Sequence, residues 1–166
     1  MKIHEAKGQS NEWYTPKYIF DALGLGFDLD VAAPKDRTFC HVPAREFITE
    51  NSLTEKWSGF IWMNAPFGNQ SDKFLWLKKY VEHGNGIALT PDRTSAPWWQ
   101  FTSKNTDAVL FVDGKIKFIK PDGKLGEQPG NGTTLFAKGE MAVKALINAE
   151  RSGLGKLYLN AAITSL

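Results

Sequence analysis

The sequence predicts an α/β fold with a mostly parallel sheet and an antiparallel hairpin at one edge. Two continuous apolar runs, "GFIWMN" (59–64) and "GIALTP" (86–91), are typical of strands that are covered on both faces. Segments with helical periodicity alternate with such runs along the chain, which is the pattern of layered α/β folds. The chain has 166 residues, 42% of them hydrophobic, and is long enough for one domain with a sizeable core.

Composition and length exclude several classes of protein. No apolar run approaches the roughly 20 residues that a membrane-spanning helix needs, and residues 1–12 lack the apolar segment of a secretory signal. Cys40 is the single cysteine, so no internal disulfide is expected, which fits a reducing cytoplasm. The three histidines are scattered without metal-ligand spacing, so no metal is expected. Residues 1–12 are predicted to be a flexible tail before a single domain at 13–166.

The first half of this domain is predicted to contain a helix and two strands. Thr15 is suited to cap the helix, which ends at Gly24. The segment "FDLDVAAP" (27–34) predicts a short strand that carries two acids, and 59–64 is the second strand. The polar stretch at 35–57 between them is expected to be irregular.

The second half alternates helices with strands. Helical spacing of apolar residues predicts a helix at 71–84, a short helix at 95–104 and a third at 139–153. The apolar runs "DAVLFVDG" (107–114) and "TTLFAKG" (133–139) are predicted to be further strands.

One segment predicts the antiparallel hairpin. "KIKFIK" (115–120) alternates with period two and follows Asp113-Gly114, a strong turn signal, so it is expected to pair with the preceding strand. A Gly- and Pro-rich loop follows at 120–132. The hairpin and loop together carry a lysine cluster that fits either a solvated surface or contact with phosphates. The lysines are Lys115, Lys117, Lys120 and Lys124.

Polar residues follow three of the predicted strands at their carboxyl ends. Asp30 ends the first strand, Asn64 ends the second, and Pro91-Asp92-Arg93 ends the third. Ligands of open α/β sheets gather at the carboxyl ends of the strands. We therefore expect a functional site along this edge of the sheet.

The segment Asn64-Ala65-Pro66-Phe67 has chemistry suited to such a site. Pro66 fixes its own φ and pushes Ala65 toward an extended conformation. The side-chain carbonyl of Asn64 and the backbone carbonyl of Ala65 can then face one point, where both accept hydrogen bonds from a substrate NH₂ group. Phe67 offers a flat face to a flat ring. A strand-ending turn with an Asn cap is the alternative interpretation.

Several segments resemble one family in an ordered series. "NAPFG" (64–68) is similar to the Asn/Asp-Pro-Pro-Tyr/Phe signature of amino-methyltransferases, although Ala65 replaces the usual second proline. "NEWYTPKYIFDAL", "FDLDVAAP", "LTEKWSGFIWMNAPFG" and "LTPDRTSAPWW" resemble, in order, segments of the phage-type DNA N6-adenine methyltransferases, the Dam-like group. The resemblance covers roughly 11–138. It implies a Rossmann-like methyltransferase fold, S-adenosylmethionine as cofactor, and methylation of adenine N6 in DNA with base flipping.

The resemblance also implies roles for individual residues. The catalytic segment is Asn64, Ala65, Pro66 and Phe67, with Phe67 stacking on the flipped base. The cofactor is expected to contact Tyr14, Thr15, Pro16, Asp30, Ala32, Glu46, Asn51 and Asn64, and Asp30 is expected to hold its ammonium group. The choice between Glu46 and Asn51 for the ribose or adenine stays open. DNA contacts are expected from Arg93, Trp98, Trp99, Lys115, Lys117, Lys120 and Lys124, with one tryptophan in the core and the other in the cleft.

The expected partner is DNA, with no membrane and no metal, for a monomer or homodimer in the cytoplasm, or in the host cytoplasm if the chain is phage-encoded. No separate target-recognition domain is predicted, so residues 115–133 are expected to substitute for one. Two alternatives remain at this point. The first alternative to a DNA methyltransferase is an amino-methyltransferase that acts on RNA or a protein amide, and the second is a non-catalytic nucleic-acid-binding module on the same scaffold.

Overall fold

The structure is a computed structural model that describes residues 13–66 and 68–162, so the predicted tail at 1–12 lies outside the described residues. These residues contain seven strands, which are β1 (Phe27–Asp30), β2 (Ala44–Phe47), β3 (Ile61–Met63), β4 (Gly86–Pro91), β5 (Ala108–Val112), β6 (Thr133–Lys138) and β7 (Gly155–Leu159). The helices of the described residues are α1 (Lys17–Leu23), α2 (Gln70–His83), α3 (Pro97–Asn105) and α4 (Glu140–Arg151). None of the described helices is long and apolar enough to cross a membrane.

The strands form one mixed sheet in the order β2-β1-β3-β4-β6-β5-β7. The pairs β2-β1, β1-β3 and β3-β4 are parallel, and β6 lies antiparallel between β4 and β5. Five strands therefore run in one direction, which confirms the mostly parallel α/β prediction. In register, Asp30 lies opposite Trp62 and Met63 opposite Ala88. The carboxyl ends of β1, β3 and β4 thus meet at one edge of the sheet.

The sheet separates two hydrophobic clusters. One face packs against α1 and α4, and the other against α2 and α3. Alternation along β3 divides its side chains between the faces, because Trp62 enters the first cluster while Ile61 and Met63 enter the second. All three are almost fully buried, which explains why this strand reads as a continuous apolar run.

Local sequence signals set the ends of α2, whereas the start of α1 differs from the predicted one. The Asn69 side chain accepts a hydrogen bond from Asp72 N (2.9 Å) and caps α2, while Gly84 ends it with a φ of 81°. The predicted Thr15 cap of α1 is wrong by one position. Pro16 occupies the cap without a side-chain hydrogen bond, since Thr15 is engaged elsewhere, with Asn64.

Two strands lie where the sequence predicted none. Strand β2 falls within the stretch 35–57 that was expected to be irregular, and β7 follows the last predicted helix. Within the part of the chain that the structure describes, both are edge strands with a partner on one side, so none of the side chains of β2 is fully buried and Tyr158 of β7 is exposed. Backbone hydrogen bonds to β1 and β5 hold these two strands in place. Because few of their side chains need to be buried, their sequences show little apolar periodicity.

The predicted hairpin across Asp113-Gly114 is wrong. Both edges of β5 are already paired, one with β6 and the other with β7, so residues 115–120 have no edge to join. The antiparallel strands at this side of the sheet are β6 and β7. The segment instead buries Ile116 in the core and pairs Ile119 with Tyr14 and Leu125.

Candidate active site

A cavity of about 480 Å³ lies at the carboxyl edge of the parallel strands, and we call it the central cavity. It is lined after β1 by 31–34, after β2 by 48–52, after β3 by 64–66, at the end of β4 by Pro91, and by 129–133, which lead into β6. Trp13, Tyr14, Trp76, Leu89 and Phe118 complete the wall. The prediction that several strands end at one site is therefore confirmed.

Asn64 lies in this wall, directly after β3. Its side-chain nitrogen donates a hydrogen bond to Thr15 Oγ1 (3.2 Å), although 49 positions separate the two residues along the chain. The nitrogen is engaged, and no hydrogen bond to the described residues engages the Oδ1 carbonyl, so that oxygen remains available as an acceptor. Ala65 is buried beside it and Pro66 is exposed, while the predicted stacking residue Phe67 lies outside the described residues.

The segment before α1 closes the cavity on the other side. Tyr14 and Ile119 exchange two backbone hydrogen bonds (2.8 and 2.9 Å), and the Tyr14 hydroxyl donates to Asp36 O (3.0 Å). Thr15 and Pro16 follow and are buried. The structure thus brings the predicted residues Tyr14 and Thr15 to the same place as Asn64.

Asp30 is a buried acid below the cavity. It is 3% exposed, and its Oδ1 accepts a hydrogen bond from Ala32 N (3.1 Å). Burial raises the pKa of the Asp30 carboxyl to about 7, and the Ala32 hydrogen bond only partly offsets that effect. Its neighbours Val31 and Ala32 line the cavity. A cation near this carboxyl would restore its charge.

Glu46 and Asn51, the two residues considered for contact with the ribose or adenine, lie in different surroundings. Asn51 lines the cavity in a left-handed conformation with a φ of 55°, whereas Glu46 is exposed within β2 and is not part of the lining. The sequence analysis missed Glu50, which does line the cavity. Its carboxylate forms an ion pair with Lys35, whose hydrogen bond lowers the pKa of Glu50.

A lysine that the sequence analysis missed holds the loop containing Asn51. Lys79 of α2 donates from Nζ to Ser52 O (2.7 Å) and Leu53 O (3.0 Å), and it also donates to Glu55 O. The Trp57 indole donates to Ser52 Oγ (2.9 Å), and Lys79 Nζ lies 4.7 Å from the Trp57 ring centroid. Sequence spacing alone carries no signal for this arrangement, because a lysine on a helix is ordinarily solvated.

Trp98 and Trp99 are both in the core, so the expectation that one of them faces the cleft is wrong. They are 1% and 6% exposed. The Trp99 indole donates to Thr134 Oγ1 (3.1 Å), and Thr134 Oγ1 donates to Asp92 Oδ1 (2.6 Å). Asp92 N donates to Gly132 O (2.9 Å), so this chain of contacts fixes the 130–132 wall of the cavity.

The remaining predicted DNA contacts lie around the cavity in different ways. Arg93 is exposed just beyond β4, and Lys117 and Lys124 are also exposed. Lys115 donates from Nζ to Gly130 O (3.1 Å), which ties it to the cavity wall. Lys120 is half-buried beside a second cavity. Residues 115–120 form no strand, so Lys115 and Lys117 do not share a strand face.

The comparisons with known proteins identify one family. The family model of DNA N-6-adenine-methyltransferase (Dam) matches residues 2–150 of the chain. No curated protein and no solved structure shows significant similarity to it. Within residues 13–66 and 68–162, no three His, Cys, Asp or Glu side chains are grouped as metal ligands.

Proposed function

Because the chain belongs to the Dam family of DNA N-6-adenine-methyltransferases, we propose that it methylates adenine N6 in DNA with S-adenosylmethionine as the methyl donor. The observation that carries this proposal is the Asn64 side chain at the cavity wall, with its nitrogen bonded to Thr15. That bond leaves the Oδ1 carbonyl as the group that meets the substrate amine.

The proposed role of Asn64 follows from the chemistry of an exocyclic amine. The N6 lone pair is delocalised into the adenine ring, so N6 is a weak nucleophile. Asn64 Oδ1 and the Ala65 carbonyl would accept hydrogen bonds from its two N–H groups, which favours tetrahedral nitrogen and returns the lone pair for attack. Both acceptors belong to one rigid segment that includes Pro66, and such positioning lowers the barrier by removing rotational freedom.

The residues around the central cavity fit the proposed cofactor. A volume of about 480 Å³ lies in the range of small-molecule sites. Asp30 is buried and accepts only one backbone hydrogen bond from the described residues, so it suits an ammonium group that would stabilise its charged form. When bound, S-adenosylmethionine supplies a methyl group activated by a sulfonium. Four residues of the lining would border it: Tyr14, Ala32, Asn51 and Asn64. Thr15 and Pro16 are buried directly after Tyr14 and are not part of the lining, so their proposed role is to support it. Glu50 is better placed than Glu46 for the ribose hydroxyls.

The sheet order supports a Rossmann-like arrangement. Strand β1 lies between β2 and β3, so the direction in which strands are added reverses at β1. Ligands of doubly wound sheets bind at the carboxyl ends of the strands at this switch point. The central cavity occupies that position, between the residues that follow β1 and those that follow β3.

We infer that the target adenine leaves the DNA helix to reach this cavity. The N6 amine of a paired adenine is engaged in the duplex, so enzymes that modify it flip the base out. Phe67 is proposed to stack on the flipped base, where such contacts are worth about 1–3 kcal/mol. Exposed Arg93, Lys117 and Lys124 are proposed to contact phosphates, and residues 115–133 to contribute to recognition of the target sequence.

The test is methyl transfer from S-adenosylmethionine labelled on its methyl group. DNA, RNA and protein are offered separately, and the DNA is then digested to nucleosides. We expect label in DNA, recovered as N6-methyladenine. The matched variants are Asn64→Ala, which should lose transfer, and Asn105→Ala at the exposed end of α3, which should keep it. Label in RNA or protein alone would support the alternative amino-methyltransferases, and no transfer at all would support a non-catalytic binding module.

The biological role is a proposal that rests on the family resemblance. A phage-encoded enzyme of this kind would mark DNA against restriction in the cytoplasm of the host cell. Mapping of N6-methyladenine in DNA from cells that express the chain would show whether methylation occurs at a specific sequence. Methylation without any sequence preference would contradict a site-specific role.

A further inference from the structure

A second cavity of about 690 Å³ adjoins the central cavity, and we call it the flanking cavity. Three residues line both cavities and form the wall between them. They are Trp13, Phe118 and Pro129. The flanking cavity is otherwise lined mostly by polar and charged residues, so it differs in character from the central cavity. Two sites that share one wall can be occupied by neighbouring units of a single chain-like ligand.

The wall between the cavities is closely packed. A Cβ atom at Gly126 would lie 2.3 Å from the Trp13 ring and 2.8 Å from Phe118 O. Only glycine therefore lets the Trp13 ring lie against this loop without a shift. Gly126 N also donates to Phe118 O (2.7 Å), which joins the two sides of the loop. The close packing of the Trp13 ring against Gly126 holds Trp13 in the wall between the two cavities.

The loop that carries the polar lining is a short hairpin. Lys120 N donates to Lys124 O (2.8 Å), and Gly123 N donates to Lys120 O (2.9 Å), so the chain turns tightly between them. A Cβ at Gly123 would lie 2.6 Å from the Phe39 ring, which shows that the turn packs directly on that ring. These contacts, together with those of Gly126, hold the 120–126 side of the flanking cavity.

The polar groups of the flanking cavity suit a nucleotide. Gln128 offers an amide with one acceptor and two donors, Glu127 offers a carboxylate, and Lys120 offers a cation. Asp122 is a second carboxylate in the lining, and its Oδ1 already accepts a hydrogen bond from Lys124 N (2.9 Å). Among the described residues, no hydrogen bond or ion pair engages the side chain of Glu127 or Gln128. Amide and carboxylate side chains are the groups that read base edges, and lysine meets phosphate or guanine.

We propose that the flanking cavity binds the nucleotide next to the target adenine and that Gln128 and Glu127 read its base. This inference rests on the proposed function, because it needs an adenine in the central cavity. Trp13 and Phe118 would then separate the two bases with aromatic surface on either side of the wall. Gln128 and Glu127 would thus discriminate between target sequences by the base beside the adenine.

The experiment measures kcat/KM for methyl transfer to short DNA duplexes that each contain one adenine. The bases on its two sides are varied through all combinations. We expect the wild type to prefer particular neighbours and Gln128→Ala to reduce that preference by about 5- to 150-fold, mainly by slowing the best substrates. Gln128→Glu, which loses the two amide donors, should change which neighbour is preferred.

The control variant is Glu82→Ala, on the exposed face of α2 and away from both cavities. It should keep the wild-type preference, and S-adenosylmethionine affinity should be unchanged in all variants. A Gln128→Ala enzyme whose neighbour preference equals that of the wild type would overturn the inference and leave the proposed function standing. A wild type that methylates no DNA would instead overturn the proposed function and this inference with it.

Discussion

Asn64 and Thr15 form a hydrogen bond of 3.2 Å that joins the end of β3 to the segment before α1. The bond orients the Asn64 amide, because the Thr15 hydroxyl oxygen accepts from the NH₂ side and leaves the carbonyl side for the substrate. Thr15 is thus proposed as a positioning residue for Asn64, beyond its expected place near the cofactor.

Asn64→Ala should lower kcat for methyl transfer by about 100-fold or more, since it removes an acceptor aimed at the reacting amine. Thr15→Val should lower kcat less and Thr15→Ser should restore most of it, because serine keeps the accepting oxygen. Steady-state kinetics with the labelled donor measure both effects. A Thr15→Val enzyme with unchanged kcat would refute the positioning role, and nearly full activity in Asn64→Ala would refute the mechanism.

Asp30→Asn should weaken S-adenosylmethionine binding while stabilising the free protein at alkaline pH. The native carboxyl has a pKa of about 7 against an ordinary value of 3.8. Between these values the native state holds more protons than the unfolded state, so stability falls as pH rises from about 4 to 7. Asparagine removes this penalty, which corresponds to about 1–4 kcal/mol at pH 8. Chemical unfolding at pH 5 and pH 8 measures it, and equal stability of the two proteins at pH 8 would contradict it.

The same carboxyl predicts a pH dependence of cofactor affinity. Only the ionised form of Asp30 attracts an ammonium group, so affinity in the wild type should fall as pH drops below about 7. The affinity of Asp30→Asn should be lower and should not show this pH dependence. Calorimetric titration between pH 5.5 and pH 8.5 makes the comparison. If cofactor affinity depends on pH in the same way in both proteins, Asp30 does not bind the ammonium group.

Lys117 and Lys115 should differ in their effects on DNA binding. Lys117 is exposed, and no hydrogen bond within the described residues ties its side chain to the cavity wall. Lys117→Gln should therefore weaken binding to all DNA sequences alike and reduce the salt slope by roughly 0.9. Lys115→Gln should also loosen the wall at Gly130 and therefore lower methyl transfer at saturating DNA. Binding across a salt series and single-turnover rates separate the two. If the salt dependence of DNA binding is unchanged in Lys117→Gln, this lysine is an ordinary solvated surface residue.

Lys79→Met should destabilise the fold by about 1–3 kcal/mol, because three carbonyls of the loop at 52–55 lose their donor. Methionine keeps much of the apolar stem. Affinity for S-adenosylmethionine should fall as well, since the same loop presents Asn51 to the cavity. Thermal unfolding and calorimetry report the two effects. Lys78→Met, at the neighbouring exposed position, is the control and should change neither.

Local patterns in the sequence were sufficient where a strand is buried on both faces or where a helix carries its own end signals. The apolar run of β3 and the Gly84 end of α2 are examples. The same patterns located Asp30 and Asn64, because parallel strands end at a common edge whatever their neighbours are.

The errors occurred where a structure depends on which partner is available. "KIKFIK" has a strand pattern, yet both edges of β5 are occupied, so the turn forms instead at 120–124 and pairs Ile119 with Tyr14. The burial of Trp98 and Trp99 in α3 also depends on a partner that the local sequence does not show. Their burial depends on how α3 packs against the sheet, and a pair of adjacent aromatic residues does not reveal it.

The sequence by itself determined the α/β fold class, the polar edge of the sheet and the Asn64-Ala65-Pro66 segment, because each depends on apolar period, turn chemistry and strand direction. Only the tertiary structure decided the edge strands β2 and β7, the Thr15 bond that orients Asn64, the Lys79 contacts and the flanking cavity. These features join residues that are far apart in the chain. Their formation depends on which backbone edges and polar groups remain unpaired once the sheet has assembled, and that information is not local.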